Sequence, residues 1–222
     1  MKIRSITPIA VGPAEVARRQ ARYDRLSPPG VDIVLEDLPA EIDPPRQLGN
    51  AQQIRHSEEI GFELASATDA AAFDAVMPDC VLDPAVGQLD AHSDVTVLGI
   101  TRIVAHMLAA LGQRFGVITR NVAIGEEFRR VVESYGLSHV FDDVYVLDLS
   151  VEDIADDAKW NAAVTVAAGK ARKKGVRTLI NGCSAVEVTL EQEVRIVDPT
   201  ALALKAIGFG IDSGLLAPGR RA

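Results

Sequence analysis

Short runs of β-branched and aliphatic residues alternate with longer stretches of helical periodicity along almost the whole chain, and that alternation leaves few folds open. Lys2–Ile6 reads as a strand, and a helix over Ala14–Leu26 follows, with Glu15 in its positive first turn. A strand at Val31–Leu35, a helix over Gln47–Ala67 and a third strand at Phe73–Met77 come next. Val95–Ile100 adds a short strand, and a helix at Ile103–Leu111 closes the first half. The second half repeats this grammar, with strands at Phe115–Thr119, Val144–Leu147 and Val176–Ile180. Its helices read as Glu126–Ser134, stopped by Gly136, and Asp153–Lys173, stopped by Gly175. A last helix, Asp198–Ile207, is placed to cross back onto the first half, and the tail after Gly208 is expected to fray. The pattern predicts an α/β protein of two similar lobes, each a parallel sheet flanked by helices. Residues 1–100 with 198–222 form the first lobe, and 101–197 form the second. No Pro/Gly/Ser-rich linker separates them, so Thr101–Gln113 is expected to be a packed helix.

Composition removes several function classes. With 222 residues, 48% of them hydrophobic, the chain can bury a substantial core. Its 23 Lys and Arg against 31 Asp and Glu give a net charge of -8, and no basic run is present to neutralise a phosphate backbone. Nucleic acid is therefore not an expected partner. Pro8 and Pro13 interrupt the N-terminal stretch and no small-residue cleavage site follows, so secretion is not expected. The longest apolar helix candidate, Ile103–Gly112, falls far short of the ~20 residues that cross a bilayer. A cytoplasmic protein that meets no membrane is the expectation, with self-association into a homo-oligomer left open. His56, His92, His106 and His139 are scattered without metal-ligand spacing, and neither CxxC nor HExxH occurs. The run Gly208–Gly214 misses the last spacing of GxGxxG and follows a helix rather than a strand. No metal, nucleotide or other cofactor is expected.

The two cysteines carry the chemistry. Cys80 follows the third strand as Met77-Pro78-Asp79-Cys80-Val81-Leu82-Asp83-Pro84, and Cys183 ends the corresponding strand of the second half in Asn181-Gly182-Cys183-Ser184-Ala185. In parallel sheets ligands bind beyond the carboxyl ends of the strands, where both thiols are placed. A helix opening after each thiol would offer unpaired N–H groups and a dipole that lowers its pKa from about 8.5. Gly182 would let the main chain approach a ligand, while Val81 and Ser184 each present an N–H to a carbonyl or carboxylate oxygen. Two thiols facing one carbon from opposite sides supply the base and the acid that inverting a stereocentre needs. Either cysteine alone would be read as a buried small hydrophobe. Matching positions in matching halves favour catalysis. Asp83, before Pro84, reads as a helix cap or turn residue. Glu187 could reach the pocket from a helical face or be a solvated charge.

The stretches Asp79–Val86 (DCVLDPAV) and Asn181–Glu187 (NGCSAVE) resemble the aspartate/glutamate/hydantoin racemase superfamily, its hydantoin racemase branch above all. Gly116–Thr119 (GVIT) and Ile196–Ile207 (IVDPTALALKAI) extend the likeness across nearly the whole chain. The resemblance implies a cofactor-independent racemase with a site in the cleft between the lobes and Cys80 and Cys183 as its two bases. The implied substrate is a small amino-acid derivative, hydantoin-like or an acidic amino acid. Thr7 and Pro8 stand where the family commonly has Asn-Pro-Asn, and together with Thr119, Arg120, Val81, Gly182 and Ser184 they are the expected substrate contacts. Arg120 replaces a small residue of the family; turned inward it would pair with a carboxylate, and turned outward it would be a surface charge. A maleate-type cis–trans isomerase, a decarboxylase of the same superfamily and a non-catalytic binding protein on the same scaffold are the alternatives. Decarboxylases of this kind keep one cysteine, so retention of both argues against that reaction.

Overall fold

A computed structural model of the chain describes residues 1–150, 153, 156–188 and 193–217. The chain folds as two compact units, Met1–Ile103 with Thr200–Ala222 and Val104–Pro199. The first unit contains β1 (Lys2–Ile6), α1 (Pro13–Leu26), β2 (Asp32–Glu36), a 3-10 turn at Ala40–Ile42 and α2 (Ala51–Ser66). It continues with β3 (Ala75–Val76), α3 (Val86–Leu89) and β4 (Thr96–Val97). α4 (Ile100–Ala110) carries the chain into the second unit, which contains β5 (Phe115–Thr119), α5 (Val122–Ser134), β6 (Phe141–Val146) and α6 (Asp157–Lys173). β7 (Thr178–Asn181) and β8 (Arg195–Val197) complete its sheet, and α7 (Pro199–Asp212) follows.

The sheets have orders β2-β1-β3-β4 and β6-β5-β7-β8, and every pairing is parallel. The two orders are the same topology. Parallel strands cannot be joined by tight hairpins, so helical crossovers cover the sheets and the inner strands lose water on both faces. β5 and β7 are accordingly buried at every residue. The core of the first unit gathers Ile6, Leu38, Ile60, Val76, Val86 and Leu89. In the second unit Ile118, Trp160, Val164 and Leu179 form the corresponding centre. The fold class is thus the one the alternation requires, two parallel sheets flanked by helices.

Element boundaries depart from the sequence reading where local polar bonds decide them. α2 starts at Ala51 rather than Gln47 because the Asn50 side chain accepts from Gln53 N at 3.0 Å. α5 starts at Val122 rather than Glu126 because Asn121 accepts from Ile124 N at 2.9 Å. β3 is shorter than Phe73–Met77, although Met77 N still bonds Arg4 O at 2.8 Å. α6 begins at Asp157, and residues 154 and 155 of the expected helix lie outside the described residues. β8, a short strand ending two residues before Pro199, is not among the strands expected from the sequence. The expected fraying after Gly208 is corrected as well: α7 continues to Asp212, and Leu216 N closes onto Gly210 O at 2.9 Å. The last part of that tail, residues 218–222, lies outside the described residues.

Asp83 caps a helix, but not the one that follows it in sequence. Its carboxylate accepts from Thr101 N at 3.1 Å and from Arg102 N at 2.6 Å, two of the unpaired donors at the start of α4. The residue is 5% exposed and sits in the left-handed region at φ 47°. We expect Asp83→Ala to cost about 1–2 kcal/mol for the cap, and more for a side chain without local hydrogen bonding at positive φ. Urea denaturation followed by circular dichroism measures it, and a loss below about 0.5 kcal/mol would remove the cap from this account.

Candidate active site

The Cys80 loop hangs from the carboxyl end of β3 and is fixed from below by a buried ionic network. Asp79 N bonds Ile6 O at 2.9 Å, and the Ser5 hydroxyl donates to Met77 O at 2.8 Å, so the loop is tied to β1. The Asp79 carboxylate, 2% exposed, accepts from the Tyr23 hydroxyl at 2.7 Å and from the Arg19 guanidinium at 2.9 Å. Arg19 also bonds Glu15 at 2.7 Å. Burial opposes charge on Arg19, but Asp79 and Glu15 together hold it above its ordinary value. Burial, with the adjacent Asp79 charge, pushes the Tyr23 hydroxyl well up, so it stays a donor. Cys80 itself is buried, and Leu82 N lies 3.4 Å from its sulfur. That donor stands where it supports negative charge on sulfur. It belongs to the residue after Val81; Val81 instead uses its carbonyl to accept from the Thr101 hydroxyl.

Cys183 occupies the matching position beyond β7 and is half-buried. A neutral amide spans its loop. The Asn181 side chain donates to Val186 O at 2.7 Å and to Cys183 O at 3.3 Å. Its buried Oδ1 has no hydrogen-bond partner among the described residues. Gly182 is required by packing against the adjoining strand. Its N–H bonds Ile118 O at 2.8 Å, and a Cβ would lie 2.2 Å from that same oxygen. Its own amide is paired within the protein. The expected helix directly after each thiol is corrected. A turn through Val81–Ala85 separates Cys80 from the four-residue α3, and Ser184–Ala185 form a turn after Cys183. Left-handed residues at Asp83 and Ala85 exclude helix there.

The remaining candidates gather at the same strand ends. In the first unit, Thr7 follows β1, the neighbour of β3, with its hydroxyl on Asp37 Oδ1 at 2.8 Å. Pro8 O accepts from the Ser57 hydroxyl, and both Thr7 and Pro8 line a small cavity with Val76, Pro78 and Pro84. In the second unit, fully buried Thr119 ends β5, the neighbour of β7, and its hydroxyl donates to Asn121 O at 3.1 Å. Arg120 is 7% exposed and donates to Leu149 O at 3.2 Å, so it is not the surface charge allowed by the sequence. Thr7, Pro8, Cys80 and Val81 thus share the carboxyl edge of one sheet. Thr119, Arg120, Gly182, Cys183 and Ser184 share that edge of the other. Glu187 is half-buried near the second group.

Comparison with known proteins bears on this arrangement. The family described as Asp/Glu/Hydantoin racemase matches residues 19–207. The chain belongs to that family. The expectation of an enzyme of the racemase class is borne out by this membership. An allantoin racemase from Klebsiella pneumoniae shares the fold with a TM-score of 0.81 at 20% identity, covering 98% of this chain and 90% of that one. An allantoin racemase from Pseudomonas fluorescens superposes with a TM-score of 0.83 at 17% identity, covering 100% and 95%. A liganded arylmalonate decarboxylase variant has a TM-score of 0.61 at 16% identity, covering 94% and 93%. At these identities the likenesses establish the fold. No curated protein matches the chain in sequence. Among the described residues no cluster could hold a metal ion, and no helix is long and apolar enough to cross a membrane.

Sequence reasoning missed the supports of this candidate site. Arg19 and Tyr23 lie one helical turn apart and so share a face of α1, the only signal that could have joined them to Asp79. Asp37 gave no signal. It accepts from Thr7 Oγ1, from Gly12 N at 2.7 Å, from Val11 N at 3.1 Å and from Leu38 N at 2.9 Å, closing the loop beside Thr7. Burial works against its charge, but these donors hold its carboxyl below the usual carboxylate range. A folded-state value below the unfolded one, about 3.9, gives stability that is full above that pH and lost as pH falls through the folded value. We expect Asp37→Asn to be less stable than the parent near neutrality, with the gap narrowing below about pH 4. Urea titrations across pH test this, and a gap independent of pH would show that the charge contributes nothing.

Proposed function

We propose that this chain racemises a small amino-acid derivative whose stereogenic C–H is acidified by a carbonyl, with Cys80 and Cys183 as base and acid on opposite faces. The observation that carries the reading is topological. Two sheets of identical strand order each deliver one cysteine, from the strand in the same position, at the carboxyl edge where ligands bind. One sulfur enters as thiolate and takes the proton, and the C–H electron pair passes into an enolate. The other thiol then gives its proton to the opposite face and is left as thiolate. One proton is taken and one returned, so the enzyme ends with the charges exchanged and the reverse reaction uses the same groups. A reducing compartment such as the cytoplasm keeps both sulfurs competent. No step calls for a metal or organic cofactor.

The substrate class is a 5-substituted hydantoin or a close relative, in keeping with the allantoin racemases that share the fold. Amides and carbonyls of such a ring suit strand ends rich in main-chain groups, and Arg120 supplies a cation for a carboxylate or anionic oxygen. Its replacement by Thr is expected to raise KM for an anionic substrate with kcat little changed, if the contact is equal in ground and transition states. Unaltered kinetics would remove Arg120 from the substrate site. The arylmalonate decarboxylase fold favours a second reading, in which the enolate is made by loss of carbon dioxide. Release of carbon dioxide from a malonate with no proton exchange on a hydantoin would select it.

Cys80→Ala and Cys183→Ala are each expected to lower racemisation by at least about 10²-fold, the lower range for an acid or base in transfer. Circular dichroism should show both variants folded. In heavy water each variant retains a thiolate on one face only, so each should exchange the proton of one enantiomer without inverting it, and the two should prefer opposite enantiomers. Proton exchange and optical rotation are followed together for allantoin and a 5-substituted hydantoin. Near-parental racemisation by either variant would sink the two-base mechanism. Inert thiols unprotected by any of these ligands would point instead to a binding protein.

A further inference from the structure

The second unit carries a groove at the amino-terminal edge of its sheet, the end away from Cys183. It encloses about 660 Å³ and is lined by Arg114, Asp142, Lys174, Arg177, Thr178 and Arg195, with neighbouring glycines, Gln113 and Val176. That volume lies within the range of small-molecule sites. In a chain of net charge -8, four cations facing one carboxylate are a local reversal of sign. Two of the four are already matched, Arg114 with Asp142 at 2.7 Å and Lys174 with Asp143 at 2.7 Å. Lys174, with the Val144 N–H and Arg129, holds the Asp143 carboxyl below its ordinary range against the effect of burial, so that pair persists as ions at neutral pH.

The other two are not matched. Among the described residues Arg177 has no ion-pair partner, and the Arg195 side chain donates only to the neutral Gln113 Oε1, at 3.3 Å. The sheet holds their main chains side by side, since Arg195 N bonds Arg177 O at 3.0 Å, and both residues line the groove. Thr178 is the register partner of Arg195 across β7 and β8, which places the two side chains on one face roughly 4.8 Å apart. Thr178 is 6% exposed, and its hydroxyl meets no protein partner among the described residues although it lines the groove. The groove thus offers an anion two guanidiniums without counter-ions and a hydroxyl without a protein partner, all at one edge of the sheet. Planar guanidinium forks fit carboxylate and phosphate oxygens in pairs.

We propose that this groove is a binding site for a small polyanion bearing two or more carboxylate or phosphate groups, held by Arg177, Arg195 and the Thr178 hydroxyl. Cys183 lies five residues further along the chain from Thr178, roughly 16 Å at the rise of a strand, so the ligand is not the molecule turned over at the thiol. The site stands whether or not the two-base reaction does.

Isothermal titration of the full chain with inorganic pyrophosphate and with citrate, at fixed ionic strength, tests it. One saturable site is expected for at least one probe. Pyrophosphate alone would identify a phosphate ligand, citrate alone a polycarboxylate, and both together a site that reads anionic oxygens in common. Arg177→Gln and Arg195→Gln should each weaken binding by at least about tenfold, and Thr178→Val by about threefold. Arg195→Lys, which keeps the charge but loses the fork, should fall between parent and Gln variant. Cys183→Ala should bind as the parent does. Both arginines are exposed, so these variants should fold, which circular dichroism checks. No saturable binding of either probe, or binding unchanged in both Gln variants, would overturn the proposal.

Discussion

Parallel pairing is the constraint on which everything else in this protein rests. A parallel strand cannot turn back on itself, so each connection must cross the face of the sheet, and all strands of a sheet then finish at the same edge. Here that happens twice, with the same strand order. Side chains distant in sequence, such as Thr7 and Cys80 or Thr119 and Cys183, are brought to a common edge by topology alone. In the second unit the buried ladder of β5 and β7 gives that edge a rigid base, because a core closed on both faces has little room to shift.

The two units brace their cysteine loops by different means. The first spends a buried carboxylate, Asp79, with Arg19 and Tyr23 as donors. Such a pair need not add net stability, since desolvating both ions offsets much of their attraction, but it sets one geometry and penalises others. The second uses Asn181, whose amide spans two carbonyls of the Cys183 turn. A neutral amide loses less on burial and directs as firmly, while its Oδ1 remains an acceptor without a protein partner among the described residues.

What could be read from the sequence divides along physical lines. The strands β1 and β5 are legible residue for residue, β1 by the interleaving of Ile3 and Ile6 with polar residues and β5 as a buried run, each followed by a turn or cap signal. Both cysteines are legible because strand order fixes where a strand ends. The starts of α2 and α5 are missed, although Asn50 and Asn121 are ordinary capping residues, because apolar periodicity points elsewhere than the cap. Asp83 is recognisable as a cap but not as the cap of α4, eighteen residues on, since that contact exists only once β4 is in place. Gly182 is legible as a place of close main-chain approach, but not the carbonyl of Ile118 on the adjoining strand, which excludes any side chain there. The last two misses are contacts between segments remote in sequence.

Charge compensation beside Cys80 has a consequence for the proposed reaction. A carboxylate one residue from a sulfur would repel a thiolate, and two sulfurs that exchange a proton through a substrate must hold negative charge with comparable ease. Asp79 is buried but faces Arg19 at 2.9 Å, so the net charge presented to the Cys80 loop from below is small. Asn181 presents no net charge to Cys183. An ionic brace closed on itself and an amide brace are therefore electrostatically similar from the side of the sulfur, despite their different chemistry. Without Arg19 the first sulfur would be the poorer thiolate, and the reaction would start more readily from one enantiomer than from the other. On this argument Arg19, an α1 residue that a scan for catalytic motifs passes over, balances the two directions of the reaction by closing the charge of Asp79.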